Sequence, residues 1–150
     1  MCHKLLNDEQ DRRAVSAYVK LVRASESINA RMTTMLTEHN ITLSQFACLE
    51  ALYRHGALYQ RELGRKTFRS GGNITIVLDN LERRSLVQRQ RDERDRRFTN
   101  VFLTTEGRNL LESMFPQYVQ AVRREMDVLD SDQQAQLTQF CVKLGLDGNN

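Results

Sequence analysis

Ser70-Gly71-Gly72-Asn73-Ile74-Thr75-Ile76-Val77-Leu78-Asp79-Asn80-Leu81-Glu82-Arg83-Arg84 reads as a helix with two unlike faces. Ile74, Val77, Leu78 and Leu81 stand at i, i+3, i+4 and i+7, which places them on one buried stripe. Asn73, Thr75, Asn80 and Arg83 lie off that stripe and can face a partner, as can Ile76. Ser70 is a suitable N-cap, because its hydroxyl can accept a bond from a first-turn N–H. Gly71 and Gly72 remove side-chain bulk at the helix start, where free N–H groups suit a phosphate. An ordinary amphipathic helix after a glycine turn would look similar, so the next stretch decides.

Leu86-Val87-Gln88-Arg89-Gln90-Arg91 and Phe98-Thr99-Asn100-Val101-Phe102-Leu103 alternate with the period of two expected of strands. Between them lies Asp92-Glu93-Arg94-Asp95-Arg96-Arg97, a charged loop without the Asn-Gly type of tight turn. Three acids among three arginines would also fit a solvated turn. Together with the helix before it, however, the hairpin makes a winged helix. The helix is then placed for a major groove and Arg94, Asp95, Arg96 and Arg97 for the neighbouring minor groove, whose negative potential favours arginine.

The charge distribution agrees. The 150-residue chain has a net charge of only +3, yet residues 54–97 hold twelve Arg/Lys against six Asp/Glu, while the rest is slightly acidic. A localised basic excess is the footprint of a polyanion-binding face. The length allows one compact domain with an extension, and a single proline with 40% hydrophobic residues points to a mainly helical protein with a small β-hairpin. No leading apolar segment or membrane-length run is present, so a cytoplasmic protein without membrane contact is expected. Three cysteines make no disulfide framework.

Around this centre the pattern is helical. Residues 8–39 form one long helical pattern through Val15, Tyr18, Val22, Met32 and Leu36, with Asn40 as its stop. Thr42 and Gln45 form a capping box opening a helix to about His55 that buries Phe46, Leu49, Leu52 and Tyr53, ended by Gly56. Residues 57–59 can make a small strand. Residues 60–68 make a short helix with Leu63 and Phe68 inward, which pairs with the 70–85 helix as a helix-turn-helix. Gln60, Arg61, Arg65, Lys66 and Arg69 are then placed to reach phosphates and supply affinity without sequence preference.

A long helix follows to about Leu129, where Pro116 predicts a kink near Phe115 or two abutting helices. A last helix is predicted with Ser131 as cap, Gln134 at the boxed position, Leu137, Phe140, Cys141 and Leu144 as its apolar side, and Gly145 at its end. The stripes of the first and last helices exceed what one small domain covers. Residues 1–39 with 105–150 are therefore expected to form a helical dimerisation region, and 40–104 a winged helix-turn-helix domain. A two-fold pair would set two recognition helices about 34–36 Å apart, one turn of DNA.

The arrangement resembles the MarR family of winged-helix transcription regulators. The resemblance is carried by Leu49-Glu50-Ala51-Leu52, by 60–63, by Gly72-Asn73-Ile74-Thr75 with Leu78-Asp79-Asn80-Leu81-Glu82-Arg83, and above all by residues 92–97 followed by Val101, Leu103-Thr104 and Gly107. It implies a homodimeric, sequence-specific regulator, usually a repressor, released from a palindromic operator on double-stranded DNA by a small phenolic or quinone-type ligand or by an oxidant. It also implies that Arg97 is the wing arginine, with Asp95 as its orienting partner. Ser85 stands where many relatives have glycine. The implied effector pocket lies between the dimer helices and the winged domain, which points to Met32, Met35, His39, Phe46, Phe115 and Tyr118. The same residues are equally ordinary core.

Cys2, Cys48 and Cys141 are the redox candidates, although a buried cysteine is ordinarily inert and no adjacent cation lowers either of the last two in sequence. No metal or cofactor is expected: His39 and His55 sit at separate helix ends. Nor is an enzyme, since no histidine lies in a nucleophile or metal constellation. A sequence-indifferent architectural DNA binder and a protein-binding winged-helix module are the remaining alternatives.

Overall fold

The computed structural model describes residues 8–67 and 71–146. In chain order these form α1 (Glu9–Thr37), α2 (Leu43–His55), β1 (Leu58–Tyr59), α3 (Gln60–Lys66), α4 (Gly71–Arg83), β2 (Val87–Arg91), β3 (Thr99–Leu103), α5 (Thr105–Met126) and α6 (Ser131–Cys141), followed by a π turn, Val142–Leu146. The fold is mainly helical, with one small antiparallel sheet in the order β1-β3-β2.

Side chains set most helix boundaries. Asp8 caps α1 by accepting the Gln10 N–H at 3.0 Å. Thr42 and Gln45 close the expected capping box on α2, and Gly56 ends that helix at φ 77°. Asn40 (φ 54°) and Ser85 (φ 56°) both adopt left-handed backbone just past a helix. At the first, the Ile41 N–H reaches the Leu36 carbonyl at 3.1 Å; at the second, the Leu86 N–H reaches Leu81 at 2.9 Å. These are the same helix ending used twice, each sealed by a pair of buried apolar residues. The two corners also touch, since the Arg84 guanidinium donates to the Asn40 carbonyl at 2.5 Å.

One core joins the elements. It gathers Leu36 of α1, Leu49 and Leu52 of α2, Leu63 of α3, Ile74, Leu78 and Leu81 of α4, Val87 and Val101 of the hairpin, and Leu111 and Met114 of α5. The recognition-helix stripe is thus buried as its spacing predicts, with Val77 half-buried at its edge. Gly107 allows α5 to pass directly over the start of the wing. A Cβ there would stand 2.1 Å from the Leu86 carbonyl oxygen, so only glycine fits.

The structure corrects several details. α5 runs as one helix through Pro116, not as two abutting segments. Proline frees only the Glu112 carbonyl; both residues face solvent, where water can take that acceptor and the turn continues. The last helix is capped by Asp130, whose side chain accepts the Gln133 N–H while Gln133 reaches back to the Asp130 N–H. Ser131 and Gln134 are therefore one residue too late: the carboxylate takes the capping role, and Gln134 instead donates to the Met126 and Leu129 carbonyls. Tyr53, expected inside, is 44% exposed. Its hydroxyl donates to Glu112 at 3.1 Å and Arg108 lies 4.9 Å from its ring centre, partners available only at the surface. Helix α3 stops at Lys66, and Phe68 lies outside the described residues.

A candidate nucleic-acid interface

Helix α4 packs its apolar stripe inward and presents a polar outer face. Asn73 is exposed, Thr75 and Asn80 are half-buried, and Ile76 is 61% exposed, an apolar residue that the core does not use. Gln60, at the start of α3, is half-buried and donates to the Thr75 hydroxyl at 3.0 Å, so its amide ties α3 to α4 and does not stand free on the surface. Arg83 donates to the Asn80 side-chain oxygen at 3.0 Å. Arg61 and Arg65 are exposed on α3, with Lys66 half-buried. Gly71 and Gly72 form the first turn of α4. Arg69 and Ser70, including the proposed Ser70 cap, lie outside the described residues.

The wing is ordered by its own carboxylates. Arg97 makes a two-pronged contact with Asp95, at 3.0 and 3.1 Å from Nε and 2.7 Å from Nη2, and the Arg97 N–H adds a further bond at 3.0 Å. The Arg97 side chain, then its backbone N–H, holds the Asp95 carboxyl below the usual carboxylate range. Arg94 and Arg96 are exposed beside it. A groove of about 780 Å³ runs between α3 and the wing root, with Arg61, Arg65 and Arg97 along it and Ile74 and Phe98 in its walls. The geometry thus brings the α3 cations and the wing arginine onto one groove, and the Gln60–Thr75 bond joins the start of α3 to the outer face of α4.

Two features were not anticipated from sequence. Arg89 on β2 is only 22% exposed and binds both Glu82 oxygens and Asp79 of α4, fastening the wing to the recognition helix. The signal was present: alternation puts Arg89 on the inward face with Val87, and an inward arginine requires carboxylates. The second is the set of donors gathered by Asp92 from Tyr59, Asn100 and the loop N–H groups.

The expected effector residues do not line one cavity. Met32 and Met35 border a polar groove of about 450 Å³ between α1 and α5. Phe115 borders a separate one of about 550 Å³, with Tyr53, Leu111 and Pro116. The Phe46 and Tyr118 rings meet at a tilt with centres 4.3 Å apart, and the Tyr118 and Phe115 rings stand 6.0 Å apart. Burial pushes the Tyr118 hydroxyl up. His39 shares a 2.9 Å hydrogen bond with Gln117. Cys48 is fully buried and Cys141 half-buried; Cys2 lies outside the described residues. Among the described residues no helix is long and apolar enough to cross a membrane.

A helix-turn-helix followed by a hairpin over one core defines a winged-helix DNA-binding protein. The chain belongs to the MarR family, whose model matches residues 41–99. It is 31% identical to the HTH-type transcriptional regulator YkoM of Bacillus subtilis, over 93% of this chain and 91% of that one. It is also 31% identical to the regulator MhqR of the same organism, over 89% and 92%. Among solved structures it resembles BpsR of Bordetella bronchiseptica, whose DNA binding is regulated by 6-hydroxynicotinic acid, with a TM-score of 0.80, 26% identity and coverage of 86% and 98%. The protein is accordingly a DNA-binding transcription regulator and not an enzyme.

Proposed function

We propose that this regulator is a cytoplasmic repressor that binds a palindromic operator as a homodimer and is released by a small aromatic ligand. The observation that carries the reading is the outer face of α4 standing beside a wing whose arginines face solvent while their root is fixed by acids. In this reading Asn73 and Thr75 read base edges, Arg61 and Arg65 hold phosphates, and Arg94, Arg96 and Arg97 enter the minor groove.

The division into a winged domain over 40–104 and a dimerisation region over 1–39 with 105–150 is part of the same proposal. It is supported by apolar residues left outside the chain's own core at both ends: Val15 and Tyr18 on α1, Leu137 and Phe140 on α6, and Leu144 beyond it. The ligand class is supported by the Tyr53 and Phe115 rings that wall one groove and by the small aromatic acid that regulates BpsR. Release by a ligand is preferred to oxidation at Cys48, because that thiol is sealed in the core.

Fluorescence anisotropy with a salt titration, combined with sedimentation, tests the proposal. A dimer is expected, with steeply salt-dependent binding and a preference for selected over random duplexes of about 10³ or more. A monomer in solution would remove the homodimer, and equal affinity for selected and random DNA would identify an architectural binder.

A further inference from the structure

The wing tip is held by a residue that lies outside it. Tyr59 closes β1, pairs with Asn100 across the sheet and stands immediately before α3. Its hydroxyl donates to Asp92 Oδ2 at 3.0 Å, and Asn100 Nδ2 reaches the same oxygen at 3.3 Å. Asp92 Oδ1 accepts the N–H groups of Arg94 at 2.9 Å and Asp95 at 3.0 Å. One carboxylate therefore gathers donors from β1, from β3 and from the loop itself. The Tyr59 ring also lies 5.2 Å from that of Phe98, at the other end of the loop.

We infer that Tyr59 is a positioning residue for DNA binding: through Asp92 it fixes the direction in which the loop carrying Arg94, Arg96 and Arg97 leaves the sheet relative to α3. A charged loop ordered only on contact with DNA would lose affinity to the entropy of ordering, and a loop ordered beforehand does not. β1 has just two residues and leads straight into α3, so its tyrosine ties the wing to the helix-turn-helix at a second point, opposite the Arg89–Glu82 contact on β2. The inference rests on the reading that the wing arginines touch DNA.

Tyr59→Phe removes the hydroxyl alone, leaving the ring against Phe98 and the backbone pairing of β1 with β3. The full chain, Tyr59→Phe, Arg97→Ala and the double variant are titrated against a duplex selected from random sequence by the wild-type protein. Tyr59→Phe is expected to weaken binding about three- to tenfold when Arg97 is present and to add little when it is absent. The amide protons of Arg94 and Asp95 should exchange faster in Tyr59→Phe with the melting temperature unchanged. Wild-type binding by Tyr59→Phe beside a weakened Arg97→Ala overturns the inference and spares the wing reading. Unchanged binding by Arg97→Ala overturns both. Independent, additive losses also overturn it, since Tyr59 would then act apart from the wing.

Discussion

Arg89 and Glu82 form the joint between the wing and the recognition helix. The guanidinium lies 2.6 and 3.0 Å from Glu82 Oε2, while the Arg89 backbone N–H takes Oε1 at 2.9 Å. Side chain and main chain of one strand residue thus hold both oxygens of one helical carboxylate, which fixes the strand's rotation as well as its distance from the helix. Asp79, one turn earlier on α4, receives the remaining Nη2 contact at 2.6 Å.

Removing this joint should cost stability in a pH-dependent way. The Arg89 side-chain bond, followed by its backbone N–H, holds the Glu82 carboxyl below its ordinary range. A carboxylate depressed in the folded state stabilises fully above its unfolded value, about 4.3, and that contribution disappears as pH falls through the lower folded value. Arg89→Ala is expected to lose about 1 kcal/mol at neutral pH, the partly exposed pair being screened by solvent. Urea denaturation at neutral pH and near pH 3 checks this. The gap between wild type and variant should narrow at the lower pH.

Gly107 leaves no room for a side chain. Any Cβ meets the Leu86 carbonyl at 2.1 Å and the Leu103 side chain at 2.8 Å, and the first of these is backbone. Gly107→Ala must therefore push α5 away from the wing root. A loss of about 2–4 kcal/mol is expected, despite the better helix propensity of alanine. Thermal melting gives the answer, and a variant as stable as the parent would show that α5 does not cross Leu86 so closely.

Ser85 offers the opposite case. Its φ of 56° is comfortable for glycine and strained for serine, and what it contributes to the fold is backbone: its N–H to Glu82 and its carbonyl, which accepts from the Thr104 hydroxyl at 2.7 Å. Ser85→Gly keeps both. It should stabilise the protein by about 0.5–1 kcal/mol, the relief of left-handed strain exceeding the extra chain entropy of glycine. A lower unfolding midpoint in this variant would count against the left-handed ending.

These cases show which physics is written locally. The stripe Ile74, Val77, Leu78, Leu81, the Thr42–Gln45 box and the corner at Asn40 are each set by residues a few positions apart, and the periodicity or capping rule finds them. That Arg61, Arg65 and Arg97 border one groove agrees with the helix-turn-helix order and the wing that follows it. What stayed hidden depends on partners far along the chain. Tyr53 is outside because Glu112 and Arg108 of α5 meet it there, and Tyr59 reaches Asp92 across 33 positions. The continuity of α5 through Pro116 has a related reason: whether proline breaks a helix in two depends on whether the freed carbonyl faces solvent, which is a property of the packed structure.

Arg97 stands exposed on the wing beside Asp95. Its side chain is held there by paired bonds, which lowers the ordering cost of the DNA contact proposed for it. Arg97→Ala should leave the fold and assembly unchanged, lower affinity by about tenfold and reduce the slope of log affinity against log salt by about one. Asn73→Ala, on the outer face of α4, should behave differently: it should lower discrimination between selected and random duplexes by about 1–3 kcal/mol if it reads a base. Parallel salt titrations of the two variants on both duplexes separate these roles. Equal losses on the two duplexes for Asn73→Ala would assign that side chain to the phosphate backbone, while an unaltered salt slope for Arg97→Ala would take the wing arginine out of the DNA contact.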